Sequence, residues 1–450
     1  MDVARRTEVD DRPPAGRFHR FLRIFVDVHA TEVAALAWAW LYFFSVLSSY
    51  YVLRPIRDEL GVASGVENLS WLFAGSLIGM ILCNPPFAAL VSRLPRRRFI
   101  SYTYRFFMAN LVGFLLLMTY TGPDAQLWVG RSFFIWISVF NMFVVSVFWA
   151  TLVDLFTRDQ GKRLFGFIAA GATIGAITGA SLTNGLVGIL GSANLLLVSV
   201  ALLELAVFAF MRLARAASVG EAADRVIQQE GPVGGGTLSG IIQIGRSHYL
   251  LGICLYMVLF TTLSTFIYFQ QAWIVESRIV DRTDRTQFFA RIDLAVNVIA
   301  LGVQVLLTGR IVKRLGVALT LTILPAMTVA GFVLLGVMPT VAAIVAFQVL
   351  RRAGDVALAR PMREVLFTTV SRDEKYKSKS FIDTFVYRVG DQIGAWSYSL
   401  MAVLGLGVVG VSWVAVPLAG LWMFTGWKLG RSQEEQSREK LEVGSQKPEV

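Results

Sequence analysis

The sequence predicts an all-α polytopic membrane protein, with twelve transmembrane helices in two six-helix repeats. Three observations carry that prediction. Hydrophobic residues make up 55% of the 450 and charged residues only 16%, with a mean hydropathy of +0.60; ordinary soluble chains carry about 25% charged residues. Apolar runs of roughly 20 residues, long enough to cross a bilayer, recur along the chain. Two basic segments of the first half reappear in the second at nearly the same offset. Strand-type alternation of apolar and polar residues is absent, which excludes a transmembrane β-barrel.

Residues 1–30 are polar and basic (Arg5, Arg6, Arg12, Arg17, Arg20, Arg23). They lack the apolar core and small-residue cleavage site of a signal peptide. A cytoplasmic tail is expected, with LRIFVDV as a short amphipathic helix on the membrane surface. The twelve spans fall near 33–53, 69–92, 99–120, 127–156, 164–187, 188–212, 247–276, 286–308, 318–338, 340–370, 380–403 and 408–429. The domain plan is a six-helix bundle over 31–212, a linker over 213–246, a second bundle over 247–430 and a cytoplasmic tail over 431–450. The linker is polar, then glycine-rich (GPVGGG, 231–236), then basic again at Arg246.

Lysine and arginine set the orientation. The loops SRLPRRR, RDQGKR, GRIVKR and SRDEKYKSK, with Arg212, Arg215, Lys428 and Arg431, all follow an even number of spans. Both termini are therefore expected in the cytoplasm. The net charge of +11 is accounted for by these loops and does not call for nucleic acid.

The halves repeat. TRDQGKRLFGFI (157–168) aligns without gaps on SRDEKYKSKSFI (371–382), and LVSRLPRR (90–97) on LTGRIVKR (307–314). Two six-helix halves joined by a cytoplasmic linker is the layout of parallel-repeat transporters, whose substrate lies between the halves near the midplane.

Charge within spans marks a pathway or a site. The densest stretch is 351–391. Arg351 and Asp355 stand four apart on one helical face, as do Arg360 and Glu364; Arg352/Asp355 and Arg388/Asp391 stand three apart. The first span ends in SSYYVLRPIRDELG, where Pro55 is expected to break or kink the helix beside Arg54, leaving Arg54 and Arg57 at the mouth of a central space. Arg105, Arg131, Arg291 and Gln271 are further candidates. Asp293, Asp355, Asp383 and Asp391 are expected to orient the arginines or couple transport to an ion. Glu204 has no evident partner. Ten intramembrane arginines face six acids, and arginine forks match carboxylate and phosphate oxygens, so the expected substrate-facing set, Arg54, Arg57, Arg105, Arg131, Gln271, Arg291, Arg351, Arg352 and Arg388, points to an anionic small molecule.

Several classes are excluded. The small-residue run GFIAAGATIGAITGA (166–180) has neither the preceding strand nor the GK[ST] of a phosphate loop, and reads as close helix packing. No HExxH, nucleophile elbow or Cys/His cluster is present; the chain has three histidines, and Cys83 and Cys254 both sit in apolar runs. The chain is expected to be no enzyme, to need no metal or cofactor, and to work as a monomer in the bilayer. The rival readings are a proton-coupled exporter of another anionic metabolite and a non-transporting receptor or scaffold on a transporter fold.

Three segments carry a family resemblance: RPMREVLFTTVSRDEKYKSKSFIDTFVYRVGDQIGAW (360–396), SYYVLRPIRDELG (49–61) and FWATLVDLFTRDQGKRLFGFIAAGATIGAITG (148–179). Together they resemble bacterial members of the ATP/ADP (NTP/NDP) exchange family of the major facilitator superfamily. The resemblance covers nearly all the membrane-spanning chain. It implies a twelve-helix major-facilitator-like fold, location in a bacterial inner membrane, alternating access, and nucleotide phosphates bound by a basic residue at the end of the first span, where Arg54 and Arg57 stand here. One departure is visible. The exchangers of intracellular parasites and plastids carry a glutamate in the fourth span upstream of a Phe-Trp pair; Phe148-Trp149 is present here, but 133–147 holds no acid, only Asn141.

Overall fold

A computed structural model describes residues 26–93, 96–218, 245, 247–370, 378–379 and 381–445. Residues 1–25, most of the linker and the loop 371–377 lie outside that set, and with them most of the expected amphipathic segment and the second copy of the basic repeat. Among the described residues the structure is helical throughout, without strands.

Twelve segments occupy the twelve expected spans. They are α1 Val33–Ala63, α2 Leu69–Arg93, α3 Arg96–Tyr120 and α4 Pro123–Leu155. The run Arg158–Ser218 divides at Gly191, whose φ of 75° lies outside the helical region, into α5 (158–190) and α6 (192–218). Then follow α7 His248–Arg278, α8 Arg282–Leu306 and α9 Thr308–Val337. Residues 341–366 make α10 and 382–403 make α11, each interrupted or opened by a π-helical turn, and Val408–Ser445 makes α12. Nine of the described helices are long and apolar enough to cross a membrane by length and composition alone, the α5–α6 run counting as one. Many apolar side chains point outward, among them Leu82, Leu117, Ile189 and Val403. In water this would be a liability; against lipid tails it is the expected surface. The protein is a multi-pass membrane protein.

The two halves share a plan. α1 and α7 are each 31 residues long, α2 and α8 each 25. In the first half α5 lies along α1 through glycines at every fourth position. A Cβ on Gly171, Gly175 or Gly179 would meet the backbone oxygen of Trp40, Phe44 or Ser48 respectively. In the second half α11 lies along α7 in the same way, with Gly390 and Gly394 against Val258 and Thr262, and the Thr262 hydroxyl donates to the Gly390 carbonyl at 3.1 Å. Gly390 and Gly394 are Gly175 and Gly179 moved along the chain by 215 residues. The small-residue run is thus a packing seam, because helices in lipid gain their contact energy from close approach.

Pro55 does not end α1. The helix continues through it to Ala63. Proline removes one N–H donor, and inside a membrane bundle neighbouring groups re-satisfy the freed backbone. Arg54 and Arg57 therefore sit on a continuous helix, about two turns short of its end. α9 bends at Gly316 (φ 73°), and Glu434 of α12 accepts the free N–H groups of Val317 and Ala318 at 2.7 and 3.1 Å. The residues expected as a tail from 431 are helical through Ser445.

A clasp holds the end that carries the basic loops. Thr157 and Gln160 cap each other at the start of α5. Gln160 and both terminal nitrogens of Arg163 reach Glu32, just before α1. Burial pushes the Glu32 carboxyl up, but hydrogen bonds from Arg163, the His29 amide and Gln160 outweigh it and hold the pKa below its ordinary value. A depressed carboxylate contributes stability above its unfolded pKa, about 4.3, and loses it as pH falls through the folded value. Thermal unfolding in detergent between pH 7 and 3 is expected to show Glu32→Gln less stable than wild type at pH 7, with the gap closing below about pH 4.3. In the same assay Gly175→Val is expected to cost at least about 1–3 kcal/mol, since the clash is with backbone. Gly185→Ala, whose Cβ would meet nothing within 4 Å, is expected to be neutral or mildly stabilising.

Candidate substrate cavity

A cavity of about 500 Å³ lies between the halves, lined by α1, α2 and α4 of the first and α7, α8, α10 and α11 of the second. Helical periodicity explains its wall. Tyr50, Arg54, Arg57 and Asp58 form one stripe of α1; Ser264, Tyr268 and Gln271 one stripe of α7; Gln348, Arg351, Arg352 and Asp355 one stripe of α10.

The cavity is closed at the end opposite the basic loops. Arg54 reaches Asp293 of α8 at 3.3 Å, and Tyr268 donates to Asp58 at 3.0 Å. Further out, Arg282 forks onto Glu59 at 2.8 and 3.2 Å, and Arg291 of α8 donates to Asn184 of α5 at 2.9 Å. Trp71 meets Trp396 edge-on. Val62, Val66, Leu69, Leu72 and Phe134 leave the first half's core to join that of the second. Among the described residues these bonds and apolar contacts tie the halves together at the end opposite the basic loops, which is the arrangement of a carrier closed at that end.

Within the cavity the charges pair in a pattern that spacing alone does not give. Asp293, 1% exposed, is shared by two arginines, with Arg352 at 2.6 Å on the same oxygen as Arg54. Asp355 pairs with neither Arg351 nor Arg352. It opens the π turn Asp355–Ala359 and takes Arg360 at 3.0 Å and Arg363 at 3.1 Å. A π turn bonds residue i to i+5, so it brings position 360 over 355 where an α-helix would bring 359. Glu364 accordingly pairs with Lys379 rather than Arg360. Arg388 and Asp391 pair at 3.2 Å, three apart, as expected. Arg351 is 7% exposed; its one hydrogen-bond partner is the Ser264 hydroxyl at 2.7 Å, and its Nε is buried without an acceptor.

Of the sequence candidates, the geometry brings together Arg54, Arg57, Gln271, Arg351, Arg352, Arg388, Asp355, Asp383 and Asp391 on the cavity wall, with Asp293 directly behind it. It keeps three arginines out. Arg105 lies on α3, which contributes nothing to the wall; it faces outward and pairs at 3.7 Å with Glu204, which therefore does have a partner. Arg131 follows the cavity stripe of α4 but two turns beyond it, past Phe134, where it reaches the Ser64 carbonyl and stacks on Trp128. Arg291 sits on the opposite side of α8 from Phe289, against Asn184 and Gln287. Sequence reasoning missed Asp58, Ser264 and Gln348. Gln348 was detectable as an amide three residues before Arg351 in an otherwise apolar run. Asp58 was hidden beside Arg57, in what reads as the end of a span.

Replacing Glu59 with Gln removes the carboxylate of the outermost cross-half pair. In a background lacking Cys83 and Cys254, a cysteine at Tyr268 is then expected to react several-fold faster with a membrane-impermeant thiol reagent applied from the side opposite the basic loops. An unchanged rate would mean that the apolar contacts alone hold this end shut.

Residues 33–359 match the family described as Major Facilitator Superfamily. No curated protein matches the sequence. Solved structures with the same fold include a bacterial homologue of the iron transporter ferroportin in an inward-facing state (14% identity, TM-score 0.63, covering 88% of this chain and 98% of that one). A D-xylose–proton symporter matches at 16% identity and TM-score 0.59, covering 88% and 97%. The nucleoside transporter NupG matches at 14% and 0.54, covering 89% and 98%.

Proposed function

The chain belongs to the Major Facilitator Superfamily, and from that premise we propose that it is a secondary active transporter moving an organic anion across a bacterial inner membrane by alternating access. The family makes it a transporter rather than an enzyme. The bundles over 31–212 and 247–430 rock about the cavity, the linker over 213–246 joins them, and the basic loops and both termini face the cytoplasm under the positive-inside rule. The protein needs no cofactor or nucleic acid, and each monomer in the bilayer holds a complete cavity.

One observation carries the anion reading: Arg351. A cation held in a low-dielectric space is costly unless a counter-charge meets it. Arg351 donates only to the neutral Ser264 hydroxyl, the nearby Asp355 being taken by Arg360 and Arg363, and it faces the cavity. An anionic substrate supplies the missing charge. Arg54, Arg57, Arg352 and Arg388 line the same cavity; Asp293 holds Arg54 and Arg352, Asp58 holds Arg57 and Asp391 holds Arg388. The resemblance to ATP/ADP exchangers supports a nucleotide-like cargo through the motifs at 49–61, 148–179 and 360–396; Asn141 at the cavity wall is where the pattern departs.

Arg351→Gln is expected to lower uptake of a labelled organic anion into proteoliposomes by at least tenfold, about 1.4 kcal/mol of lost binding. Arg105→Gln, on the outer surface, is expected to leave it unchanged. Equal rates in wild type and Arg351→Gln would overturn the anion reading. Uptake that requires anion preloaded inside the vesicles identifies exchange; uptake that follows an imposed pH gradient without preloading identifies proton coupling.

A further inference from the structure

Two polar atoms on one face of α10 are left without partners at the cavity wall. Gln348 is 3% exposed and donates its amide nitrogen to Gln271; its Oε1 is buried and accepts nothing. Arg351, three residues on and therefore on the same helical face, holds its Nε buried with nothing to accept it. Both residues line the cavity. Buried polar groups are normally satisfied, and each exception needs an explanation. Here the pair is an unused acceptor beside an unused donor, at a site already read as binding an anion. Charge adds a second constraint. Six arginines and four aspartates line the cavity, a surplus of two positive charges. The surplus stays at two when the ion-paired residues behind the wall, Asp293 and Arg363, are included.

Resting on the anion reading above, we propose that the substrate is a small organic anion of one or two negative charges with a hydroxyl or amine donor beside its anionic group. Its anionic oxygen accepts from Arg351 and its adjacent O–H or N–H donates to Gln348 Oε1. A free nucleoside triphosphate does not fit this balance, because its three phosphates bring more negative charge than the surplus neutralises. A site built to hydrogen-bond a substrate hydroxyl also rejects the analogue that lacks it, since its own buried acceptor is then left unpaired. Gln348 is thus the specificity-determining residue of the cavity and Arg351 its anchor.

The test is ligand-induced thermal stabilisation of the purified full-length protein, using matched pairs that differ only by a hydroxyl, malate against succinate and lactate against propionate, with magnesium-free ATP alongside. Gln348→Met, which keeps the length and removes the acceptor, is measured in parallel. The expected result is that at least one hydroxy acid binds ten or more times more tightly than its deoxy partner, that ATP binds no better than the deoxy acids, and that Gln348→Met erases the preference while succinate or propionate binding is retained. Equal binding of both members of each pair, or a preference that survives Gln348→Met, overturns the proposal and leaves the anion reading standing. ATP as the tightest ligand overturns it in favour of exchanger chemistry. Silence from every anion, on protein whose unfolding transition is intact, overturns the proposal and the anion reading together.

Discussion

The structure turns on one carboxylate. Asp293 of α8 is nearly sealed from solvent, and a single oxygen of it takes Arg352 from its own half and Arg54 from the other. Two cations on one anion leave a net positive charge in a space with little water, which is costly unless more negative charge arrives. The neighbouring aspartates do not relieve it. Asp355 is occupied by Arg360 and Arg363, and Asp391 pairs with Arg388. The cavity is therefore a set of cations held in place by too few anions. That deficit is what the proposed anionic substrate would relieve, and it lies at the joint between the halves.

The same carboxylate links substrate to conformation. Arg54 reaches Asp293 only while the halves meet at the end opposite the basic loops, where Glu59–Arg282 and Asp58–Tyr268 also cross. Opening that end would separate Arg54 from Asp293 and leave it on the first half with the Tyr51 ring and the charge of Asp58 nearby. On the proposed reading, an anion bound between Arg54 and Arg351 lowers that cost. Substrate then acts through its differential contact with the two states, which is the only way a ligand can shift such an equilibrium.

The fold was legible in the sequence because lipid imposes simple demands: every span must be long, apolar and helical. The twelve segments fall on the twelve expected runs, and the small-residue stripe of α5 is the packing seam it reads as. The site was legible in kind and only partly in detail. Arginine excess within spans marks the cavity, but a linear sequence does not say which face of a helix looks inward. Arg105 and Arg291 are arginines within spans just as Arg54 and Arg351 are, yet one lies on a peripheral helix and the other on the far side of α8. Pro55 misled in the opposite direction. A residue that ends helices in water is carried through in a buried bundle, so α1 runs two turns further and brings Asp58 and Glu59 into play.

The π turn at Asp355 is the clearest case of local geometry overriding spacing. Arg351 and Asp355 stand on one unbroken stretch of α-helix, where the Asp355 N–H still bonds back to the Arg351 carbonyl, so their spacing alone would pair them; the π turn begins only at Asp355 and changes what reaches that carboxylate from beyond it. The inserted residue rotates the remainder of α10, hands Asp355 to Arg360 and Arg363, and leaves Arg351 with a hydroxyl and an empty Nε. π turns cost hydrogen-bond quality and are found mostly at functional sites. Here the consequence is concrete, since the turn converts a self-satisfied Arg–Asp spacing into an available cation. The alternation of arginine and acid that makes 351–363 look like a ladder of internal ion pairs is re-registered by the turn, which gives Asp355 to the arginines beyond it and leaves Arg351 facing the cavity without an ion pair.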